Sequence, residues 1–390
     1  MNTNTKLLTL AGVLTLGLTG SVNAQSKVFM TGSTAGRAAI FATMTDLTAN
    51  GVFDVGTATF LPATATGSSS KVNFRGLISG VDTMVKCSFS GSEAGYADVA
   101  GSVTESFLND SGNAGDPADN EVVDICAADN APQFSKLTSA QQALVTATFV
   151  ANIPFKWEKE KGSSANLVNV TDQALRQAFK GNAKLALFSG NAADLTYVYI
   201  SGRDSGSGTR VNSQGDCGFG IFATPQMAQI AADGSMTKVD GVHALGDFTA
   251  PNFQYGYSSG GTLATQMGND LSQVTSVDIV PLHGGGHFSI VAYLGIGDAT
   301  TAEGLGAVNL TYDGIPYSIA NIIEGQYNLW GNYHVVIRNA GVNAQAPAVI
   351  GQLTLASPKG IDGHADSTVL IKKSDMHATR TGPTGDPVHK

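Results

Sequence analysis

"KVFMTGSTAGRAAIFATMTDL" (27–47) runs from an extended apolar stretch through a Gly/Ser/Thr turn into a helix. Ala38, Ile40, Phe41 and Met44 recur at helical spacing, and Ser33 or Thr34 stands where an N-cap belongs. "ATFLPATATGSSSKVNFRGLI" (58–78) reads the same way, with a serine-rich turn at 67–70 opening a second helix. "MVKCSFSGSEAG" (84–95) is a third unit, and its turn carries Glu93. Three strand–turn–helix units in the first hundred residues predict an α/β fold with a mostly parallel sheet.

Outward from these units the rhythm breaks once. Residues 101–130, "GSVTESFLNDSGNAGDPADNEVVDICAADN", are acidic and rich in turns, and read as a surface insertion. "TATFVANIPF" (146–155) then reads as a strand. "TDQALRQAFKGN" (171–182) reads as an amphipathic helix stopped by Gly181. In the second half, "GTLATQMGNDL" (261–271) reads as helix, while "SVDIVPL" (276–282), "FSIVAYLG" (288–295) and the end of "EGQYNLWGNYHVVIR" (324–338) read as strands. The terminal "TRTGPTGDPVHK" (379–390) reads as a frayed tail.

At 390 residues the chain exceeds one simple core, which predicts two lobes. It opens with a polar stretch bearing Lys6, then "LLTLAGVLTLGL" (7–18), then Val22-Asn23-Ala24, the pattern of a cleavable export signal ending at Ala24. Without Lys6, 21 basic residues face 31 acidic ones, so no broad nucleic-acid surface is expected. A small anion remains compatible, because backbone N–H groups, hydroxyls and one Arg suffice to hold it. Of the three cysteines, Cys87 and Cys126 are expected to pair in an oxidising compartment, leaving Cys217 free. No zinc spacing or cofactor motif stands out.

The residues with most chemistry lie in "SGRDSGSGTR" (201–210), directly after the apolar "LTYVYI" (195–200). Glycines there free backbone donors to converge, Ser207 and Thr209 add hydroxyls, and Arg203 brings a planar fork suited to a tetrahedral oxyanion. An ordinary Gly-rich turn with a solvated Arg203 is the competing reading. "GYSSG" (256–260) fits the G-x-S-x-G of a serine hydrolase with Ser258 as nucleophile, although a helix-start turn explains it as well. "HGGGH" (283–287) offers two histidines without a third ligand, and reads as a loop.

In order along the chain, "GSTA" (32–35), "GSSS" (67–70), "SEA" (92–94), "NIP" (152–154) and "RDSGSGT" (203–209) resemble the periplasmic phosphate-binding proteins of ABC phosphate transporters. "FKGN" (179–182) and "GQYNLW" (325–330) resemble the family too, so the likeness covers most of residues 27–338. The resemblance implies a two-lobed, type II periplasmic binding fold, with crossings near 151 and 325 and the ligand in the cleft. It implies capture of inorganic phosphate by an exported monomer that serves a membrane permease, with no cofactor and no catalysis. Thr34, the backbone of Ala35, and Ser68 would hold the ligand from one lobe. Arg203, Ser207, Gly208 and Thr209 would close from the other, and Glu93 would take the place of the family's proton-accepting Asp.

Three departures accompany the likeness. Glu93 is one methylene longer than that Asp, Ser205 stands at the acidic position of the last loop with Asp204 one residue earlier, and Ala35 replaces an aromatic while Arg37 adds a cation nearby. The runner-up functions are an exported hydrolase using Ser258, and a surface protein that keeps the fold without a ligand.

Overall fold

The computed structural model describes residues 25–113, 120–181, 183–230, 236–237, 256–271, 288–380 and 387–389. The leader, "SVDIVPL", "HGGGH" and Asn182 lie outside them. Among the described residues eleven strands form one sheet. In chain order they are β1 (Ser26–Gly32), β2 (Thr59–Leu61), β3 (Lys71–Ile78), β4 (Val81–Ser88), β5 (Ile125–Ala128), β6 (Val145–Lys159), β7 (Ala183–Lys184), β8 (Tyr197–Ser201), β9 (Ser289–Gly295), β10 (Val308–Asn309) and β11 (Trp330–Arg338). Their spatial order is β7-β8-β9-β6-β11-β5-β1-β4-β3-β2, with β10 beside β6.

The 15-residue β6 joins the two halves of this sheet. From Val145 to Pro154 it pairs with β11, and from Phe155 to Lys159 it pairs with β9. Apolar packing is continuous across the seam, where Phe155 and Trp157 share a core with Ile40, Phe74, Tyr293 and Tyr333. No helix among the described residues is long and apolar enough to cross a membrane.

The α/β architecture with flanking helices is present, but the sheet is mixed. Parallel pairing is confined to two patches, β5–β1–β4 in one half and β8–β9 in the other. The second strand–turn–helix unit does not form: Lys71–Ile78 is β3, in an antiparallel hairpin with β4. Its inward residues Val72, Phe74 and Ile78 alternate with the exposed Arg75 and Leu77 in the later part of the run. That two-residue period fits a strand half-buried on one face.

Residues 101–130 are only partly a surface insertion, since Ile125–Ala128 is β5, fully buried between β1 and β11. This placement overturns the expected disulfide. Cys87 lies opposite Met30 and Cys126 opposite Thr31, on either side of β1. Two inter-strand spacings separate them, roughly 10 Å, beyond the reach of an S–S bridge. Successive residues of β1 also point to opposite faces, so the two thiols enter different cores. All three cysteines are free and buried. The tail expected to fray instead pairs Ala378–Arg380 with Pro387–His389.

Parallel strands gather their carboxyl ends at one edge, where following turns and helix starts converge. After β1 come Ser33 and Thr34, then α1 (Arg37–Thr45). After β4 comes α2 (Ser92–Gly101), and after β5 comes Asp129. In the other half β8 leads to Arg203 and α3 (Gly208–Asp216), with α4 (Gly260–Met267) beside it, and β9 leads to Asp298 in α5 (Ile296–Leu305).

Candidate functional site

The two sets of strand ends meet across the seam, and Arg203 is the central joint. Its side chain is 2% exposed. Nε donates to the Tyr257 carbonyl (3.0 Å) and Nη2 to the Ser258 carbonyl (2.9 Å), both in its own half. Nη1 donates across the seam to Thr34 Oγ1 (3.1 Å). The backbone supports this pose: Arg203 N donates to the Tyr293 hydroxyl at 3.2 Å. Arg203 and Thr34 are therefore brought together as expected from the sequence.

Gly208 and Thr209 come close to a different partner, Asp129, whereas Ser207 does not. Thr209 Oγ1 donates to Asp129 Oδ2 at 3.4 Å, and Ser33 Oγ makes a short hydrogen bond to Oδ1. The Asp129 amide donates to Ser92 Oγ at 3.0 Å. A Cβ on Gly208 would lie 2.4 Å from Ser92 Oγ and 2.9 Å from Asp129 Oδ2, so only glycine permits this approach. Ser207 Oγ faces its own helix as N-cap, accepting from Arg210 N at 3.3 Å. Burial raises the Asp129 carboxyl to about 6, although hydroxyl donors and the Arg203 charge pull it down.

Glu93, expected as the proton acceptor, has both carboxylate oxygens bonded within its own half. It is 6% exposed and turns inward, Oε1 accepting from Asn130 Nδ2 (2.9 Å) and Oε2 from the Lys136 amide (2.7 Å). The extra methylene carries its carboxylate past the helix start into the loop that follows β5. The amides of Glu93 and Ala94 are capped across the seam by the Gly206 carbonyl, at 2.9 and 3.2 Å. Asp129 is the carboxylate at the meeting point. Its sequence signal is a charged residue at the end of a short apolar run, "ICAAD" (125–129), as Arg203 follows the apolar "YVYI" after two intervening residues.

Thr34, Ala35 and Ser68 line a third place. With Arg37 from the same half, and Gly295, Asp298 and Thr301 from the other, they wall a cavity of about 350 Å3. Ser68 is on an exposed turn before β3 rather than a helix start, its Oγ 2.9 Å from Thr66 Oγ1. The Ala35 amide, expected on a ligand, donates to Ser33 Oγ at 3.1 Å. Sequence reasoning missed Asp298, which lies against the start of α4: a Cβ on Gly260 would stand 1.8 Å from its Oδ2.

The hydrolase motif has a structural explanation. Ser258 is exposed and offers its carbonyl to Arg203, while Ser259 Oγ accepts from Thr262 N and caps α4. His334 is buried in β11, bonded through Nδ1 to the Asn332 carbonyl, and burial pushes it down to about 4. No group of His, Cys, Asp and Glu among the described residues could hold a metal ion.

No family model and no curated protein matches the chain. Its fold is similar to solved phosphate-transport binding proteins. An ABC-type phosphate transport receptor from Vibrio cholerae superposes with a TM-score of 0.48 at 14% identity, covering 89% of this chain and 100% of that one. A phosphate-binding protein from Stenotrophomonas maltophilia gives 0.42 at 12%, covering 90% and 91%. PstS from Borrelia burgdorferi gives 0.41 at 12%, covering 89% and 98%.

Proposed function

We propose that the chain is an exported solute-binding protein that captures a phosphate-type oxyanion between the halves of its sheet and delivers it to a membrane permease. No bond is made or broken. The observation that supports this best is Arg203: a buried guanidinium at the carboxyl ends of two parallel patches, bonded to Thr34 on one side and to backbone carbonyls on the other. A cation so placed, beside the turns that open α1 and α3, is suited to desolvating an anion.

Entry requires the halves to part, because Arg203 meets Thr34, and Thr209 meets Asp129, directly across the seam. A hinge in the shared strand β6 permits that motion. The hydroxyls of Thr34 and Thr209 then exchange a protein partner for a ligand oxygen. Asp129 accepts a hydrogen bond from a protonated oxyanion but repels a fully ionised one, so phosphate is favoured over sulfate.

Calorimetry of the purified chain with phosphate, arsenate and sulfate tests the proposal. Saturable 1:1 binding of phosphate, retained in part by Arg203→Lys and lost in Arg203→Ala, is expected. Equal affinity for sulfate would remove the role given to Asp129. The packing of Asp129 against Ser33, Thr209 and Gly208 also favours a second reading, a fold whose cradle is filled by its own carboxylate and which takes no anion. Absence of heat with all three oxyanions would select that reading.

A further inference from the structure

Arg37 is the cation that the inner cradle does not use. It is 9% exposed, and among the described residues it has no hydrogen-bond or ion-pair partner, although it lies in the first turn of α1 against the cavity. Burial lowers its pKa, and the two charges it senses most are Asp298, which raises it, and Arg203, which lowers it further. Asp298, only half-buried, faces the same cavity from the other half. No described group donates a hydrogen bond to its carboxylate, which burial raises against the pull of Arg203 and Arg37. Charges withdrawn from water without hydrogen bonds are costly, and such groups facing one another across a cleft mark a candidate ligand site.

The space between these two charges is larger than a bare tetrahedral ion needs. At about 350 Å3 it sits at the lower end of small-molecule sites. Phosphate displaces roughly the volume of two or three waters, each about 30 Å3 of liquid. Ala35 keeps the cavity wide, and the walls alternate small apolar groups, such as Ala38 and Val369, with the hydroxyls of Thr34, Ser68 and Thr301.

Resting on the reading of this cleft as an oxyanion site, we propose that its ligand is a small organic oxyanion with a hydrogen-bond donor at its other end. The anionic group lies at Thr34, between Arg203 and Arg37, and a hydroxyl or ammonium of the ligand body reaches outward to donate to Asp298. Arg37 and Asp298 belong to opposite halves, so such a ligand bridges the seam and holds the halves closed. Inorganic phosphate can satisfy the first contact but spans the cavity poorly.

The test is calorimetry of the purified chain with inorganic phosphate, ethyl phosphate, glycerol 3-phosphate and 2-aminoethyl phosphate. The last two are expected to bind at least tenfold more tightly than phosphate, and ethyl phosphate, which lacks a donor on its body, less tightly than either. Arg37→Gln is expected to weaken all four by tenfold or more, the loss of a charge-assisted bond. Asp298→Asn is expected to erase the advantage of the donor-bearing ligands while leaving ethyl phosphate within about twofold. Thermal melts of both variants control for folding. Phosphate binding as tightly as the organic ligands, unchanged by Arg37→Gln, would overturn this inference and leave oxyanion capture standing. No binding of any of the four overturns both.

Discussion

The inner cradle around Asp129 and the outer cavity around Arg37 lie side by side at the same seam, yet they treat charge in opposite ways. In the cradle every formal charge has protein partners: hydroxyls on Asp129, carbonyls and Thr34 on Arg203, an amide and a side-chain amide on Glu93. In the cavity Arg37 and Asp298 sense each other without touching. A satisfied network rigidifies the structure, whereas unsatisfied charges facing open space await something from outside. In the closed form the cradle charges fasten the halves to each other and must exchange partners before they meet an anion, whereas the cavity charges have no partner among the described residues to give up.

The largest effect that could break this comparison is the loss of Arg203. Arg203→Ala removes three side-chain hydrogen bonds and leaves the buried Asp129 without its nearest cation. A cost of about 3–5 kcal/mol is expected, as for breaking a buried charge network by deleting one partner. Urea denaturation measures it. A loss below about 1 kcal/mol, the range of exposed ion pairs, would mean that the cradle contributes little to stability.

The second effect is one of pH. Burial raises the folded carboxyl of Asp129 to about 6, against an ordinary value of 3.8. The folded state therefore holds this proton more tightly than the unfolded chain between those values. The stability so gained is complete below about 4 and lost as pH climbs through about 6. Asp129→Asn, which cannot ionise, is expected to flatten this part of the profile relative to the parent chain. Parallel pH profiles that keep the same slope in both proteins would show that Asp129 is not the titrating group.

How much of this arrangement could be read from the sequence depends on how local its causes are. β1, α1 and α2 are legible because an apolar run, a small-residue turn and a helix follow one another within about 20 residues. β3 was misread although its alternation was visible: Val72, Phe74 and Ile78 repeat with a period of two, and the serine-rich turn before them suggested a helix start. β5 is hidden because a four-residue apolar run inside an acidic, turn-rich stretch looks like part of a loop until β1 and β11 bury it. With β5 hidden, Asp129 could not be recognised as a residue at a strand end. The sequence puts Glu93 in the turn after β4, where α2 begins, but the direction of its carboxylate depends on Asn130 and the Lys136 amide, some 40 residues away. Sequence identifies which turns reach the seam. Which atoms meet there is settled by tertiary packing.

A smaller effect distinguishes the turn from the carboxylate it serves. Ser33 Oγ bonds Asp129 and also accepts from the amides of Ala35 and Gly36, both at 3.1 Å. Ser33→Ala is expected to cost about 1–3 kcal/mol, because it strands buried partners on both sides, measured by thermal or urea unfolding. Combining it with Asp129→Asn is expected to cost less than the sum of the two, since they share a contact. Strict additivity would mean that the turn, rather than the cradle, accounts for the loss.

The smallest effect carries the opposite sign and falls on the cavity. Arg37 loses hydration on folding and gains no hydrogen bond from the described residues, so its charge is a net burden on the folded state. Its side chain still borders the cavity, where water relieves part of that burden. Arg37→Gln keeps most of the aliphatic stem and removes the charge. Its stability is expected to equal that of the parent or exceed it by up to about 1 kcal/mol, seen as a melting temperature unchanged or slightly raised. A clear drop would place Arg37 among the groups that fasten the halves, beside Arg203, and the contrast between the two regions would fail. A rise would fit a site that trades stability for a ligand contact, a pattern common where function demands an otherwise unfavourable charge.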